Sequence, residues 1–322
     1  MINDNTDNYI TPELLPPAED GVFQTLLMKP DASPVLRDVV ESFLHFPVTK
    51  VEVKNVELPI SDINEKRERF DVNCTVNDGT QFEVEMQSNA MSGDSARTNH
   101  QNIKSRAIFN LCDLHSSQSG RGIRYDKLMR SFQVTFCGYT ILPQHKEFIN
   151  RFSFRDENGE RLSDAVEIIL IELTKLTDII TKPVESMTGE ELWSIFFAYG
   201  SDPKHSELLN KMIAARSEIK MANELLRTIS TDENERARFR ARRKFEMDME
   251  HNLIVARDEG LEEGREEGRE EGREEGRVEG REEGLMTVTK NLLRFGNPID
   301  IDIIVKATGL TREEVENLRD TE

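Results

Sequence analysis

Cysteine and histidine are scarce in this chain and nowhere clustered. The three cysteines, Cys74, Cys112 and Cys137, are widely spaced and odd in number, which excludes a disulfide framework and a paired zinc site and predicts buried thiols. The six histidines form no His-x-x-x-His or Cys/His group, which argues against a histidine-rich metal centre. Long apolar runs are also missing. No stretch of 18 apolar residues occurs, and the N-terminal residues are polar and acidic, so the expectation is a cytoplasmic protein without a membrane span or export leader. Positive charge is short as well: 42 Lys and Arg stand against 61 Asp and Glu, a net charge of −19. That balance opposes broad, non-specific attraction to nucleic acid, because phosphate neutralisation supplies most of such affinity.

What is present fits a soluble globular protein, with 322 residues, 37% hydrophobic and 32% charged, enough for one sizeable core and appendages. The charge is unevenly distributed. Residues 257–284 hold six Arg against thirteen Asp and Glu, a net of −7, whereas residues 88–130 hold seven Lys and Arg against three Asp, a net of +4. Arg97, Lys104 and Arg106 fall on a predicted helix within that basic stretch, which reads either as a solvated face or as a phosphate-binding surface.

The stretches 67–76 and 80–87 alternate polar and apolar residues with period two, the mark of half-buried strands. Between them, Asn77-Asp78-Gly79 suits a three-residue hairpin loop, read as a type I turn with the glycine left-handed. The loop length sets the register. Val76 pairs with Thr80, Cys74 with Phe82, Val72 with Val84 and Phe70 with Met86 on an apolar face. On the polar face Asn73 then lies opposite Glu83, Asp71 opposite Glu85 and Arg69 opposite Gln87. Directly opposed residues have Cβ atoms about 4.5–5.5 Å apart, so Asp71 and Glu85 repel unless a hard divalent cation lies between them. The same pattern also serves as an ordinary solvated hairpin face.

Asp71, the Asp78-Gly79 turn and Glu85-Met86-Gln87 resemble the PD-(D/E)XK nuclease superfamily. More closely, they resemble its recombination-promoting nucleases and transposases, with Gln87 where many members carry lysine. Asp20-Gly21-Val22-Phe23 is similar to the N-terminal helix motif of that group, and residues 166–175 are similar to its later strand ending Ile-Glu-Leu-x-Lys. The closing Thr308-Gly309-Leu310-Thr311 stretch and the Glu-Glu-Gly-Arg repeat are also similar to the group. Departures are Gln24 in place of a lysine, His100-Gln101 in place of an aromatic pair, and a long connection over 114–125. The resemblance implies an α/β fold, a restriction-endonuclease-like mixed sheet flanked by helices, followed by an all-helical C-terminal extension. It implies a metal-dependent DNA endonuclease in which Asp71 and Glu85 bind Mg²⁺ (or Mn²⁺) and Gln87 orients water or phosphate. Asp20 would be an outer carboxylate, and Arg97, Lys104 and Arg106 would contact DNA. Two other readings stay open: a weak or inactive DNA-binding, transposon-associated relative, and an oligomerising protein acting through its helical tail.

The remaining organisation follows from periodicity. Residues 1–19 are Pro-rich and polar and are expected to be disordered, and 20–180 form the nuclease-like domain. Helices are expected near 23–28, 34–46 and 95–112, and strands over 48–58, 131–142 and 166–173. Residues 181–256 form a helical region, with helices over 192–199, 207–228 and 233–257. Glycines at 260, 264, 268, 272, 276, 280 and 284 define a charged stalk or linker over 257–284. Each costs a helix about 0.8–1.0 kcal/mol relative to alanine, roughly 6–7 kcal/mol for seven, so a helix there is marginal and gains from a partner, as in a coiled coil or homo-oligomer. A small helical unit closes the chain over 285–322, with a break at Gly296-Asn297-Pro298 and Thr311 and Glu314 as a capping box.

Overall fold

A computed structural model of the protein describes residues 13–54, 72–77, 79–88, 94–294 and 299–320. The chain divides into two compact units, 1–241 and 242–322.

The first unit is built on one six-stranded sheet: β1 (Val51–Val53), β2 (Val72–Val76), β3 (Thr80–Gln87), β4 (Ser131–Cys137), β5 (Ile149–Phe152) and β6 (Val166–Glu172), in the order β1-β2-β3-β4-β6-β5. The sheet is mixed. β1, β2 and β3 form an antiparallel meander, β3, β4 and β6 run parallel, and β5 closes the far edge antiparallel to β6. Parallel neighbours require a crossover, and α3 (Asp94–Ser116) supplies the one between β3 and β4.

The hairpin register is the expected one over all its described residues: Val72 pairs with Val84, Asn73 with Glu83, Cys74 with Phe82 and Val76 with Thr80. Arg67, Arg69, Phe70 and Asp71, and the Asp78 of the turn, lie outside the described residues. The turn itself departs from type I. Asn77 has a positive φ of 44°, as does Gly79 at 109°, and Gly79 N donates to Val76 O at 2.9 Å. Asparagine tolerates this conformation, and its side chain is occupied there. Oδ1 accepts from Thr49 N at 2.8 Å and Lys50 N at 3.3 Å, and Nδ2 donates to Pro47 O at 2.7 Å. Asn77 therefore ties the turn to the chain entering β1.

Two faces result from the period-two pattern. One carries Phe82, Val84, Met86, Phe132, Val134, Phe136, Ile169 and Ile171 into the main core. Helices α1 (Asp20–Met28), α2 (Ser33–Leu44), α4 (Gly189–Tyr199), α5 (Ser206–Ala215) and α6 (Ser217–Thr231) contribute Phe23, Phe43, Trp193, Phe197, Met212 and Leu226 to the same cluster. The helices from 189 to 231 thus share one core with the sheet. The other face is covered by α3, whose Ile103 and Ala107 pack with Cys137, Tyr139, Ile141, Leu142 and Leu170.

Several boundaries differ from the sequence expectation for identifiable reasons. The single helix expected over 207–228 is broken at Arg216, which is extended (φ −137°, ψ 121°). Its guanidinium reaches Asp38 Oδ1 of α2 at 2.6 Å, beside the Trp193 indole N–H on Oδ2 at 2.9 Å. β4 stops at Cys137 rather than running to 142, and β5 was not anticipated. Cys74 and Cys137 are buried as expected, whereas Cys112 on α3 is exposed.

The second unit contains most of α7 (Glu233–Arg294), which continues unbroken through the glycine repeat; residues 257–284 are exposed throughout. Beyond it, α8 (Ile301–Thr308) and α9 (Arg312–Asp320) bury Ile304 and Val315. The capping box forms, with Glu314 N donating to Thr311 Oγ1 at 3.3 Å and Thr311 N donating to Glu314 Oε2 at 2.7 Å. The expected break at 296–298 and residues 1–12 lie outside the described residues, whereas residues 13–19, expected to be disordered, pack on the first unit: Leu15 is buried and its N–H donates to Ser230 Oγ at 2.9 Å.

The Asn77 contacts generate a stability test. Asn77→Ala should lower the unfolding free energy by about 1–2 kcal/mol, through the lost hydrogen bonds and the left-handed backbone that alanine disfavours. Equilibrium urea unfolding monitored by Trp193 fluorescence measures it.

Candidate active site

Residues 81, 83, 85 and 87 of β3 point away from the main core and toward α3, as period two requires once Phe82, Val84 and Met86 are committed to the other face. Because β3 is flanked by β4 on this side, the row continues laterally: Glu83 lies beside Gln133, Glu85 beside Thr135 and Gln87 beside Cys137. A polar layer is thereby trapped under a helix.

Glu85 is 4% exposed. Its Oε1 forms an ion pair with Arg106 of α3 and accepts a hydrogen bond from Gln87 Nε2 at 2.5 Å. Burying a carboxylate without such partners would cost far more than it returns. Arg106, expected at a phosphate, pairs in the nucleic-acid-free structure with this buried carboxylate. Lys104 is half-buried on the same helix, and Arg97 lies on it with its side chain outside the described residues.

Asp20, first residue of α1, accepts from Ser88 Oγ at 3.1 Å, directly after the end of β3. Sequence distance hid this juxtaposition of residues 20 and 88. Gly138 follows β4 and donates its N–H to Gln87 O at 2.8 Å; a Cβ at 138 would stand 2.7 Å from Ser88 O, so only glycine allows the two chains to approach here. Glu85, Gln87, Ser88 and Asp20 consequently gather at the carboxyl end of a strand in the parallel part of the sheet, the end at which open α/β sheets bind ligands.

Sequence reasoning did not single out Thr135 or Gln133. Both are fully buried on the Glu85 face, and among the described residues Thr135 Oγ1 and both amide atoms of Gln133 have no partner. Among the described residues no group of three or more His, Cys, Asp or Glu side chains converges as a metal site. The oxygens that do gather, a buried carboxylate beside an orphaned hydroxyl with Asp20 at the strand end, are hard donors and suit Mg²⁺ or Mn²⁺ rather than a soft metal.

Two further groups resolve as structural. Burial, reinforced by the Glu172 carboxylate and only partly offset by Arg106, holds the Cys137 thiol well above the usual thiol range, so it is protonated and inert as a nucleophile. Glu172, at the end of β6, is fully buried. It accepts from Ile141 N at 2.6 Å and Leu142 N at 2.9 Å, and from Lys175 Nζ at 2.5 Å. Lys175 also donates to Leu142 O and His145 O, each at 2.8 Å. This pair therefore clamps the loop after β4 and gives the Ile171-Glu172-Leu173-Thr174-Lys175 segment a structural role.

The family described as PD-(D/E)XK nuclease family transposase matches residues 17–256. No curated protein matches the chain, and no solved structure does.

Removing the Glu172 carboxylate leaves Lys175 charged and the two loop amides unsatisfied. Glu172→Ala should therefore cost about 3–5 kcal/mol, the range for breaking one partner of a buried ion pair, as read from thermal and urea unfolding.

Proposed function

The chain belongs to the PD-(D/E)XK nuclease family transposases, and from that membership we propose that it is a metal-dependent endonuclease that hydrolyses phosphodiester bonds in DNA. The observation that carries the reading is the placement of Glu85 and Gln87 on one covered face of β3, in a hairpin whose register reaches Val72 opposite Val84. Asp71 and Glu85 would hold Mg²⁺ (or Mn²⁺), with Asp20 as an outer carboxylate. The ion, when bound, supplies Lewis-acid stabilisation of charge on the scissile phosphate.

The chain's own residues define the rest. Gln87 is a neutral amide, so it orients water or a phosphate oxygen and neither accepts the proton nor supplies the positive charge that lysine would give. Catalysis then depends more heavily on the cation than in lysine-bearing relatives. Arg97 and Lys104, on the crossover helix beside Glu85, are the proposed phosphate contacts. No helix among the described residues is long and apolar enough to cross a membrane, and we place the activity in the cytoplasm, where DNA is the partner.

The test is nicking of supercoiled plasmid. The wild type should nick with Mg²⁺ or Mn²⁺ and not with EDTA. Asp71→Asn and Glu85→Gln should each lose at least about 10–100-fold, the effect that even a supporting residue has at a metal site, at unchanged folding. Full nicking by either variant at matched metal overturns the assignment.

A second reading concerns assembly, and the observation favouring it is α7. Every glycine from 260 to 284 has open space around it, and Leu253, Ile254 and Leu261 are exposed on the same helix. A helix carrying seven glycines gains most from a partner, and we infer that this segment pairs with a second copy of the chain. Truncation before Arg257 should reduce the oligomer to a monomer by light scattering and weaken DNA binding through lost avidity. Monomers in both cases, with stronger low-salt DNA binding from removal of the −7 repeat, would instead make the tail a spacer.

A further inference from the structure

The arginines that stabilise this fold are held by several acceptors each. Arg151 donates to Glu167 Oε1 at 2.7 Å, Phe43 O at 2.9 Å and Glu190 Oε1 at 2.5 Å, and Arg216 bridges Asp38 and Ser42. Arg106 is bound differently. Among the described residues its guanidinium pairs with the carboxylate of Glu85 alone, and its Nε is buried without a partner. The side chain is 35% exposed although the Glu85 side chain is 5% exposed, so a route to solvent is open to the cation and closed to the anion. The helix does not depend on this pair, because Ile103, Ala107 and Asn110 are buried on α3 around it, and Asn110 Nδ2 donates to Glu83 Oε1 at 3.0 Å.

The same Glu85 oxygen takes Arg106 and the Gln87 amide. A divalent cation binding through that oxygen competes with the guanidinium for its lone pairs, and the two positive charges repel across one carboxylate. We propose that Arg106 is an internal competitor for the metal: it neutralises Glu85 in the metal-free protein and, once released by the ion, turns to a phosphate of the nucleic acid. The inference rests on Glu85 being a metal ligand. Its consequence is reciprocal coupling, in which metal frees the arginine for DNA and DNA holds the arginine away from the metal. A planar guanidinium suits both tasks, since it pairs equally well with carboxylate and phosphate.

The experiment is Mn²⁺ binding by calorimetry to full-length wild type, Arg106→Gln, Arg106→Lys and Glu85→Gln, without DNA, each checked for folding by circular dichroism. Arg106→Gln should bind Mn²⁺ more tightly, by on the order of tenfold, within the usual range of coupling between two ligands. Arg106→Lys keeps the charge and should stay near wild type, which separates competition from loss of packing. Duplex DNA binding, followed by fluorescence anisotropy with Ca²⁺ or EDTA, should be strengthened by the ion in the wild type and much less so in Arg106→Gln. Unchanged or weaker Mn²⁺ binding by folded Arg106→Gln, with Glu85-dependent binding in the wild type, overturns this inference alone. Wild-type Mn²⁺ binding that Glu85→Gln leaves intact, or none at all, overturns the metal-site reading and this inference with it.

Discussion

A carboxylate on the covered face of a sheet must be neutralised, and the arrangement around Glu85 follows from that requirement. β3 and β4 are parallel, so the chain between them has to cross the sheet, and the crossing helix lies over the face bearing Glu83, Glu85 and Gln87. Apolar residues alone on that helix would have left a buried negative charge without a partner. Arg106 and Asn110 face the sheet instead, while Ile103 and Ala107 supply the dry contact toward Leu170. The helix is thus a lid for the apolar part of the face and a counter-charge for the polar part.

The same face changes character across the sheet. On β3 and β4 it carries Glu83, Glu85, Gln133 and Thr135, and on β6 it carries Ile168 and Leu170 before ending at Glu172. The polar part holds the carboxylates, the amide and the hydroxyl; the apolar part fixes the helix. Glu172 and Lys175 secure the loop that leaves β4, and Gly138 lets that loop pass close to Ser88. The strand ends are therefore held in position by contacts that lie outside the Glu85 cluster.

The chain has a net charge of −19, unevenly distributed. The exposed repeat of α7 contributes −7 of that net charge, whereas residues 88–130, from the end of β3 through the crossover, carry +4. Glu274 and Arg277 show the local pairing available to the repeat, with Nη2 to Oε1 at 2.7 Å and Nε to Oε2 at 3.0 Å. Such exposed pairs recover only a small part of the helix propensity lost at each glycine.

By itself the sequence determined what depends on local pattern. The loop between Val76 and Thr80 gave the hairpin register, period two assigned Phe82, Val84 and Met86 to the core, and the Thr311–Glu314 spacing gave a capping box, because each arises from neighbours a few residues apart. The family was legible too, since its motif is carried by a strand, a turn and a strand. Other features depended on contacts between distant residues. A positive φ at Asn77 requires the chain near Thr49 to bond its side chain, and the break at Arg216 requires Asp38. β5 becomes a strand only because β6 offers it an edge. Arg106, legible merely as a basic residue on a helix, is turned toward Glu85 because the crossover brings a guanidinium over a buried carboxylate 21 positions earlier, and no local pattern encodes that electrostatic demand.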